Sequence, residues 1–287
     1  MLRTLHHRFA YPAAGIASGL CRNVCRYRET PPRYSLIMLT VETYLERIRY
    51  SGPREPAPGT LIGLHRAHML AVPFENLDIH LGRPILLSEQ GFYDKIVLRR
   101  RGGFCYELNG LFGALLRALH FPVTLLSARV YSGGTPGPEF DHMALLVECE
   151  ERWIADVGFG DSFLEPLRLD APGDQVQGDS RFRIECDQGV YRVLRLDPGT
   201  AWTVSYDFTL RPRRLEEFAP MCRWQQTSPA SHFTQKRVCS LATPEGRVTV
   251  SDNLFIVTRH GERQERILGD DEEVFKTLKE VFGIGLG

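Results

Sequence analysis

The 287-residue chain has no net charge, because Lys plus Arg and Asp plus Glu each number 35. That balance removes the electrostatic case for a nucleic-acid or anionic-membrane partner. Long hydrophobic runs are missing as well. The best candidate, 111–121, is broken by Arg117 and His120 and falls short of the ~18 apolar residues that mark a membrane span. Cysteine is sparse: seven residues, odd in number and irregularly spaced, argue against a secreted disulfide framework and leave a reduced, cytoplasmic protein as the expectation. No metal is expected, since Cys21 and Cys25 have no second Cys/His pair and no other cluster has zinc-ligand spacing. A P-loop and a dinucleotide fingerprint are both absent, so nucleotide hydrolysis and hydride transfer have no support. There is no repeat of roughly 20–50 residues either.

What is present is an ordinary globular composition, 43% apolar and 24% charged, long enough to bury a full core. The charge balance is uneven along the chain. Residues 1–37 carry six arginines and one acid, and show no sustained period of 2 or 3.6. They read as an extension, disordered or translated from a start codon ahead of Met38, with an organelle transit peptide as the competing reading. Thr40 predicts a helix through Ile48, Thr60 caps a second, and Ser88 caps a third through Val97. The clearest helix carries Leu108, Leu111, Phe112, Leu115, Leu116 and Leu119 as one apolar stripe. Beyond Pro122 the texture turns to β, with short runs at 123–131, 143–148, 153–157, 182–185, 191–196, 202–210, 248–250 and 254–258. An amphipathic helix over 271–282 closes the chain. Helices, then strands, then mixed elements imply an α+β fold.

The chemistry gathers at Cys105. In Arg101-Gly-Gly-Phe-Cys-Tyr-Glu-Leu-Asn109 a cysteine follows two glycines and opens the clearest helix. Glycines permit a tight turn and a close approach to substrate. Unpaired N–H groups at a helix start favour a thiolate and can cradle an oxyanion. Two roles fit this residue on local sequence, a nucleophile and a buried structural thiol. A nucleophile needs a base and the base an orienting group. His142 opens a strand-like run directly after the Gly/Pro-rich loop 132–139. Asp156 sits in Trp153-Ile-Ala-Asp-Val-Gly-Phe-Gly160, an acid inside an apolar strand that needs a buried partner. The order Cys, His, Asp is that of papain-like enzymes. His65, His68 and His80 read as helix or loop positions.

Taken together, Val72-Pro-Phe-Glu-Asn-Leu-Asp78, the Cys105 run, Asp141-His142 and Asp156-Val-Gly-Phe-Gly160 resemble the signatures of the arylamine N-acetyltransferases, prokaryotic type, in that family's order. Ser231-His-Phe233 and Gly246-Arg247 are similar to its C-terminal region, so the resemblance runs from about Met38 to the end. It implies a Cys105–His142–Asp156 triad and ping-pong transfer from acetyl-coenzyme A to an aromatic amine or hydrazine. It also implies a helical domain (38–122), a β-barrel-like domain (123–225) and an α/β lid (226–287). Gly158, Phe159 and Gly160 fall where the family's coenzyme A approaches the backbone, although a tight turn alone would also need glycines. Phe74 and Phe233 fall at acceptor-pocket positions, and plain core packing is their other reading. Arg129, Lys236 and Arg237 are cations available for the coenzyme phosphates. Two further activities use the same triad: acylation of a larger biosynthetic acceptor, and cysteine hydrolase or transglutaminase-like chemistry.

Overall fold

The computed structural model describes residues 40–286, and the expectations for residues 1–37 lie outside them. Helix α1 (Val41–Arg47) follows Thr40, whose hydroxyl bonds the Thr43 and Tyr93 hydroxyls at 2.6 and 2.9 Å rather than a backbone amide. Helix α2 (Pro58–Ala71) begins ahead of the expected Thr60 cap. Proline at the first turn has no N–H to leave unsatisfied and its φ suits a helix, so the helix starts there and Thr60 is buried inside it. Strand β1 (Phe74–Glu75) and the single turn α3 (Leu77–His80) come next. Helix α4 (Glu89–Tyr93) is capped by Ser88, whose Oγ accepts from the Gly91 amide at 3.1 Å, and it runs into a π-helical turn at Asp94–Leu98. Helix α5 (Cys105–Ala118) is the centre of the molecule. Every residue from Cys105 to Leu116 is buried, so the apolar stripe seen in the sequence covers only part of a helix enclosed on all sides.

A second region is sheet. Its strands are β2 (Val123–Ser132), β3 (Thr135–Pro136), β4 (His142–Cys149), β5 (Glu151–Ala155) and β6 (Leu167–Arg168). They continue with β7 (Gln175–Gln177), β8 (Ser180–Asp187), β9 (Val190–Leu196) and β10 (Thr203–Phe208). The order is β6-β5-β4-β2-β10-β9-β8-β7, antiparallel throughout, with β3 folded back on β2 as a short hairpin. The two end strands meet without a ladder. Gln175 accepts from the Arg168 amide at 2.8 Å and donates to its carbonyl at 3.0 Å. Gln177 accepts from Leu164 and Glu165 at 2.9 and 3.0 Å and donates to the Glu165 carbonyl at 2.8 Å. The result is a nearly closed barrel joined by side chains.

Strand alternation divides the core in two. Ala144, Leu146 and Ile154 face the barrel interior with Phe163, Phe182, Val193 and Tyr206. Met143, Leu145, Val147, Trp153 and Ala155 face the helices and join the core around α5. Beyond a 3-10 turn at Leu215–Phe218 lie α6 (Ala219–Thr227) and α7 (His232–Gln235). A second antiparallel sheet follows, β11 (Val238–Thr243), β12 (Gly246–Ser251), β13 (Leu254–Arg259) and β14 (Glu262–Ile267), with β1 added at the β11 edge. Helix α8 (Asp271–Phe282) seals it with Val274, Leu278 and Phe282 on Cys239 and Val250. Asp270 caps its start by accepting from the Glu273 amide at 2.9 Å, and Gly283 ends it at φ 68°. The fold is α+β. No helix among the described residues is long and apolar enough to cross a membrane.

Candidate active site

Cys105 is the first residue of α5 and is buried. The chain reaches it through a passage that only glycine fits. A Cβ on Gly102 would stand 2.0 Å from the Pro73 carbonyl oxygen, and one on Gly103 2.8 Å from Cβ of Glu107. The amides of Cys105 and Tyr106 belong to the first helical turn, where N–H groups have no intrahelical acceptor and the helix end is electropositive. Glu107 steadies that turn by accepting from the Phe104 amide at 3.1 Å. Behind it is a buried charge cluster. Lys95 lies 2.9 Å from both Glu107 and Asp78, and Arg101 lies 2.8 Å from Glu75 and 3.0 Å from Asp78. Three carboxylates face two cations, leaving one negative charge in excess. Burial, with Glu75 acting in the same direction, pushes Glu107 up to about 7 against the pull of Lys95.

Asp156 lies one residue beyond the end of β5, not inside the strand. The ladder stops because the Asp156 amide turns away from the sheet: the last register pair is Leu145 with Ala155, and the Asp156 N–H donates to His65 Nε2 at 3.1 Å. Its carboxylate is wholly buried and receives three donors. His142 Nε2 donates to Oδ2 at 2.7 Å, while Asn109 Nδ2 and the Gly158 amide reach Oδ1 at 2.8 and 3.0 Å. Burial pushes Asp156 up, but His142, Asn109 and Gly158 together outweigh it and hold the carboxyl below its ordinary value. With Nε2 committed to Asp156, the ring nitrogen of His142 left for other work is Nδ1.

The three residues converge from different elements. Cys105 comes from α5, His142 from the mouth of β4 and Asp156 from the end of β5. Gly158 shows how closely the loop after Asp156 approaches α5: a Cβ there would stand 2.8 Å from Cys105 Cα, 3.0 Å from its carbonyl oxygen and 2.7 Å from Asn109 Nδ2. That contact gives Gly158 a packing reason of its own. Burial pushes the Cys105 thiol well up, Cys222, Asp141 and Asp156 push the same way, and a backbone hydrogen bond from Met143 opposes them. Asp141, the neighbour of His142, points elsewhere and accepts from Gln225 Nε2 at 2.7 Å.

Phe159 packs edge-on to His142, centroids 5.3 Å apart, and against Tyr206. Gly160 adopts φ 90° with the Phe74 ring 3.4 Å from its would-be Cβ. Phe74 and Phe233 are half-buried at 6.1 Å between centroids, and Phe104 meets Phe233 edge-on at 5.8 Å. Among the candidate phosphate cations, Arg129 is bound in two places to Asp207 and Arg237 pairs with Asp271, whereas Lys236 is exposed and makes no ion pair among the described residues.

Two residues without an assigned role in the sequence reading also belong to this centre. Asn109 stands one turn after Cys105 and ties Met143, Asp156 and Val157 together at 2.6, 2.8 and 2.9 Å. A polar residue four positions after the cysteine, inside an apolar helix, was the signal. His65 is wholly buried and holds the Asp156 backbone. Only its place beside Leu64 on a buried helix face hinted at it.

Known proteins resemble the chain in both sequence and fold. Residues 59–287 match the family described as N-acetyltransferase. The chain is 35% identical to the arylamine N-acetyltransferase of Escherichia coli (strain K12), over 85% of this chain and 88% of that protein. It is 34% identical to Homo sapiens arylamine N-acetyltransferase 1, over 86% and 95%. Among solved structures, the Salmonella typhimurium arylamine N-acetyltransferase superposes with a TM-score of 0.80 at 32% identity, covering 86% of this chain and 92% of that one. The Mycobacterium marinum arylamine N-acetyltransferase in complex with CoA gives 0.79 at 31% identity, covering 85% and 93%.

Proposed function

The chain belongs to the arylamine N-acetyltransferase family and is an acyltransferase, and from that premise we propose that it moves an acetyl group from acetyl-coenzyme A to the nitrogen of an arylamine or arylhydrazine through an acetyl-Cys105 intermediate. The observation that carries the reading is a His142 ring fixed through Nε2 on the buried Asp156 carboxylate at 2.7 Å, beside a loop whose Gly158 packs directly against Cys105 at the first turn of a buried helix. In the first half-reaction His142 Nδ1 takes the thiol proton and Sγ attacks the thioester carbonyl. Negative charge gathers on the carbonyl oxygen, where unpaired amides of the α5 first turn offer hydrogen bonds. The C–S bond to coenzyme A breaks and the departing sulfur takes the proton from His142. In the second half the amine nitrogen attacks the acetyl-Cys105 carbonyl and passes its proton to His142. The Cys105 C–S bond breaks, and Sγ recovers the proton.

Asp156 stabilises the imidazolium at both stages and holds the ring so that Nδ1 is the nitrogen offered to sulfur. The coenzyme approaches along Gly158, Phe159 and Gly160, and the acceptor ring lies against Phe74 and Phe233. The half-buried aromatic group they form with Phe104 excludes water from the thioester. Residues 38–122 thus supply the nucleophile, 123–225 the base and acid, and 226–287 one wall of the acceptor site. The Mycobacterium marinum relative with bound CoA supports the donor, and the relatives' names support the acceptor.

The test is intact-mass measurement after mixing with acetyl-coenzyme A and no amine. A gain of about 42 Da on Cys105, discharged by adding an arylamine, is the expected result for covalent catalysis. Absence of the adduct on folded protein, or coenzyme release as fast without amine as with it, overturns the assignment.

A further inference from the structure

His65 takes no part in the steps above, yet it is wholly buried against the backbone of Asp156. It sits on α2. Its Nδ1 is 2.8 Å from the Leu164 carbonyl oxygen and its Nε2 is 3.1 Å from the Asp156 amide nitrogen. A carbonyl only accepts and an amide N–H only donates, so the hydrogen resides on Nδ1 and the lone pair on Nε2. One neutral tautomer satisfies both neighbours. An imidazolium would set N–H against N–H. The ring is held flat against Phe163, centroids 5.8 Å apart and 21° between planes, and edge-on to Phe112 at 5.9 Å. Its ionisable neighbours are Asp156 and His68. Burial pushes it down to about 4, against the raising effect of the Leu164 hydrogen bond and Asp156.

This contact is made where β5 stops. The carboxylate of Asp156 draws its three donors from Asn109, Gly158 and His142, whereas the amide of the same residue has His65 as its acceptor. The carboxylate carbon is two bonds from the Cα whose amide His65 holds, so fixing that amide restricts the direction in which Oδ2 meets His142.

We propose that His65 is a positioning residue for the His142–Asp156 pair, holding the Asp156 backbone through the lone pair of its neutral, Nδ1-protonated ring. The inference rests on the roles given above to Cys105, His142 and Asp156. A nearby residue serves as an internal control: His68, three positions on, is equally buried on α2, but its Nδ1 bonds the Tyr44 hydroxyl at 2.8 Å.

The experiment compares His65→Gln, His65→Asn and His68→Gln with the wild-type chain. Glutamine brings an acceptor oxygen to the former Nε2 position and keeps a partner for the Asp156 amide. Asparagine keeps a donor for Leu164 and is too short to reach Asp156. Three quantities are read at a temperature where each variant is folded: the thermal midpoint, kcat and KM for acetyl-coenzyme A, and the rate of Cys105 alkylation by iodoacetamide against pH. His65→Asn is expected to lose roughly tenfold or more in kcat with KM within about twofold, and to move the alkylation midpoint upward by about one pH unit, while His65→Gln stays within about threefold of wild type. His68→Gln is expected to lose stability with an unchanged alkylation profile. Equal losses in the two His65 variants, or an equal shift from His68→Gln, reduce His65 to a core residue and overturn the proposal.

Nitrogen NMR of the wild-type imidazole provides a readout that needs no substitution. A neutral Nδ1–H ring persisting at pH 5 is expected, and an Nε2–H tautomer or an imidazolium at pH 6 overturns it. Because alkylation requires no coenzyme, a wild-type chain that fails to become acetylated counts against the proposed function alone.

Discussion

A carboxylate sealed from solvent stays ionised only if its donors outweigh the loss of water, and at Asp156 they do. Asp156→Asn removes the charge that supports an imidazolium on His142 while keeping the side-chain shape. Since burial pushes the Cys105 thiol up, its ionisation depends on that pair. The expected result is alkylation of Cys105 that is slower at neutral pH and has a higher midpoint than in the wild-type chain; an unchanged profile would remove Asp156 from the triad. Cys105→Ala is expected to retain the fold and lose transfer altogether, and Cys105→Ser to retain almost none, because a hydroxyl near His142 ionises far less readily than a thiol. Buried ionisable groups also set how stability responds to pH. His65 is held down to about 4, so between roughly pH 6.5 and 4 the unfolded chain binds a proton that the folded chain refuses, and stability falls on acidification. Burial drives His68 the same way. Glu107 has the opposite sign: raised to about 7, it favours the folded state at low pH and loses that contribution as pH rises towards 7. Urea unfolding at pH 5 and pH 7 is therefore expected to show a steeper acid loss in Glu107→Gln than in wild type, by about 2 kcal/mol, and a shallower one in His65→Gln. Equal slopes would show that neither group titrates in that range.

Among the elements, α5 carries the most constraint, since its first turn presents Cys105, the proposed nucleophile, and its second holds Asp156 through Asn109. Gly158 closes on that first turn, and the atoms a Cβ would strike there are Cys105 Cα and carbonyl oxygen, which are backbone and cannot swing aside. Gly158→Ala is expected to cost about 1–3 kcal/mol in thermal unfolding and a larger share of turnover than of stability, because relief must come by moving Cys105. Unimpaired turnover would show that the loop yields instead. Much of this arrangement was legible in the sequence. The α8 bounds follow from its amphipathic pattern, the paired glycines before Cys105 from the close approach that only a residue without a Cβ allows, and the β2, β4 and β9 runs from β-branched texture. Other elements gave no local signal. Strand β14 is Glu-Arg-Gln-Glu-Arg-Ile with every residue exposed, so no alternation marks it, and it exists only through pairing with β13. Helix α6 begins at Ala219-Pro220 after a polar stretch whose only fully buried anchor is Phe218. At the site, Cys105, His142 and Asp156 could be named as candidates from residue type and order, and as a triad through the family resemblance. His65 could not, because its partner lies 91 residues away and a histidine on a buried helix face looks alike whether it packs or positions.

For the molecule as a whole, Asn76 joins regions far apart in the chain. Its side chain donates to the Phe233 and Lys236 carbonyls at 3.0 and 2.7 Å and accepts from the Val238 amide at 2.8 Å, while its own amide meets the Val238 carbonyl at 3.2 Å. The helical core, α7 and the second sheet are thereby tied at one buried residue, next to the β1–β11 pairing. Asn76→Ala leaves three backbone groups without partners, and a loss of about 3 kcal/mol is expected, with earlier proteolytic cleavage between Ser228 and Val238 than in wild type. Unchanged stability and cleavage would mean that the β1–β11 ladder alone holds the regions together. The barrel is joined in a different manner. Most of its ladders fix a neighbour to within one residue, since a slip would turn every side chain to the other face. Gln175 and Gln177 reach across their gap with no such counting. Insertions and deletions within 171–174 can therefore accumulate without exchanging inside for outside at any strand. The circumference of the barrel is thus open to evolutionary revision at its join, while the strands that deliver His142 and Asp156 keep their places.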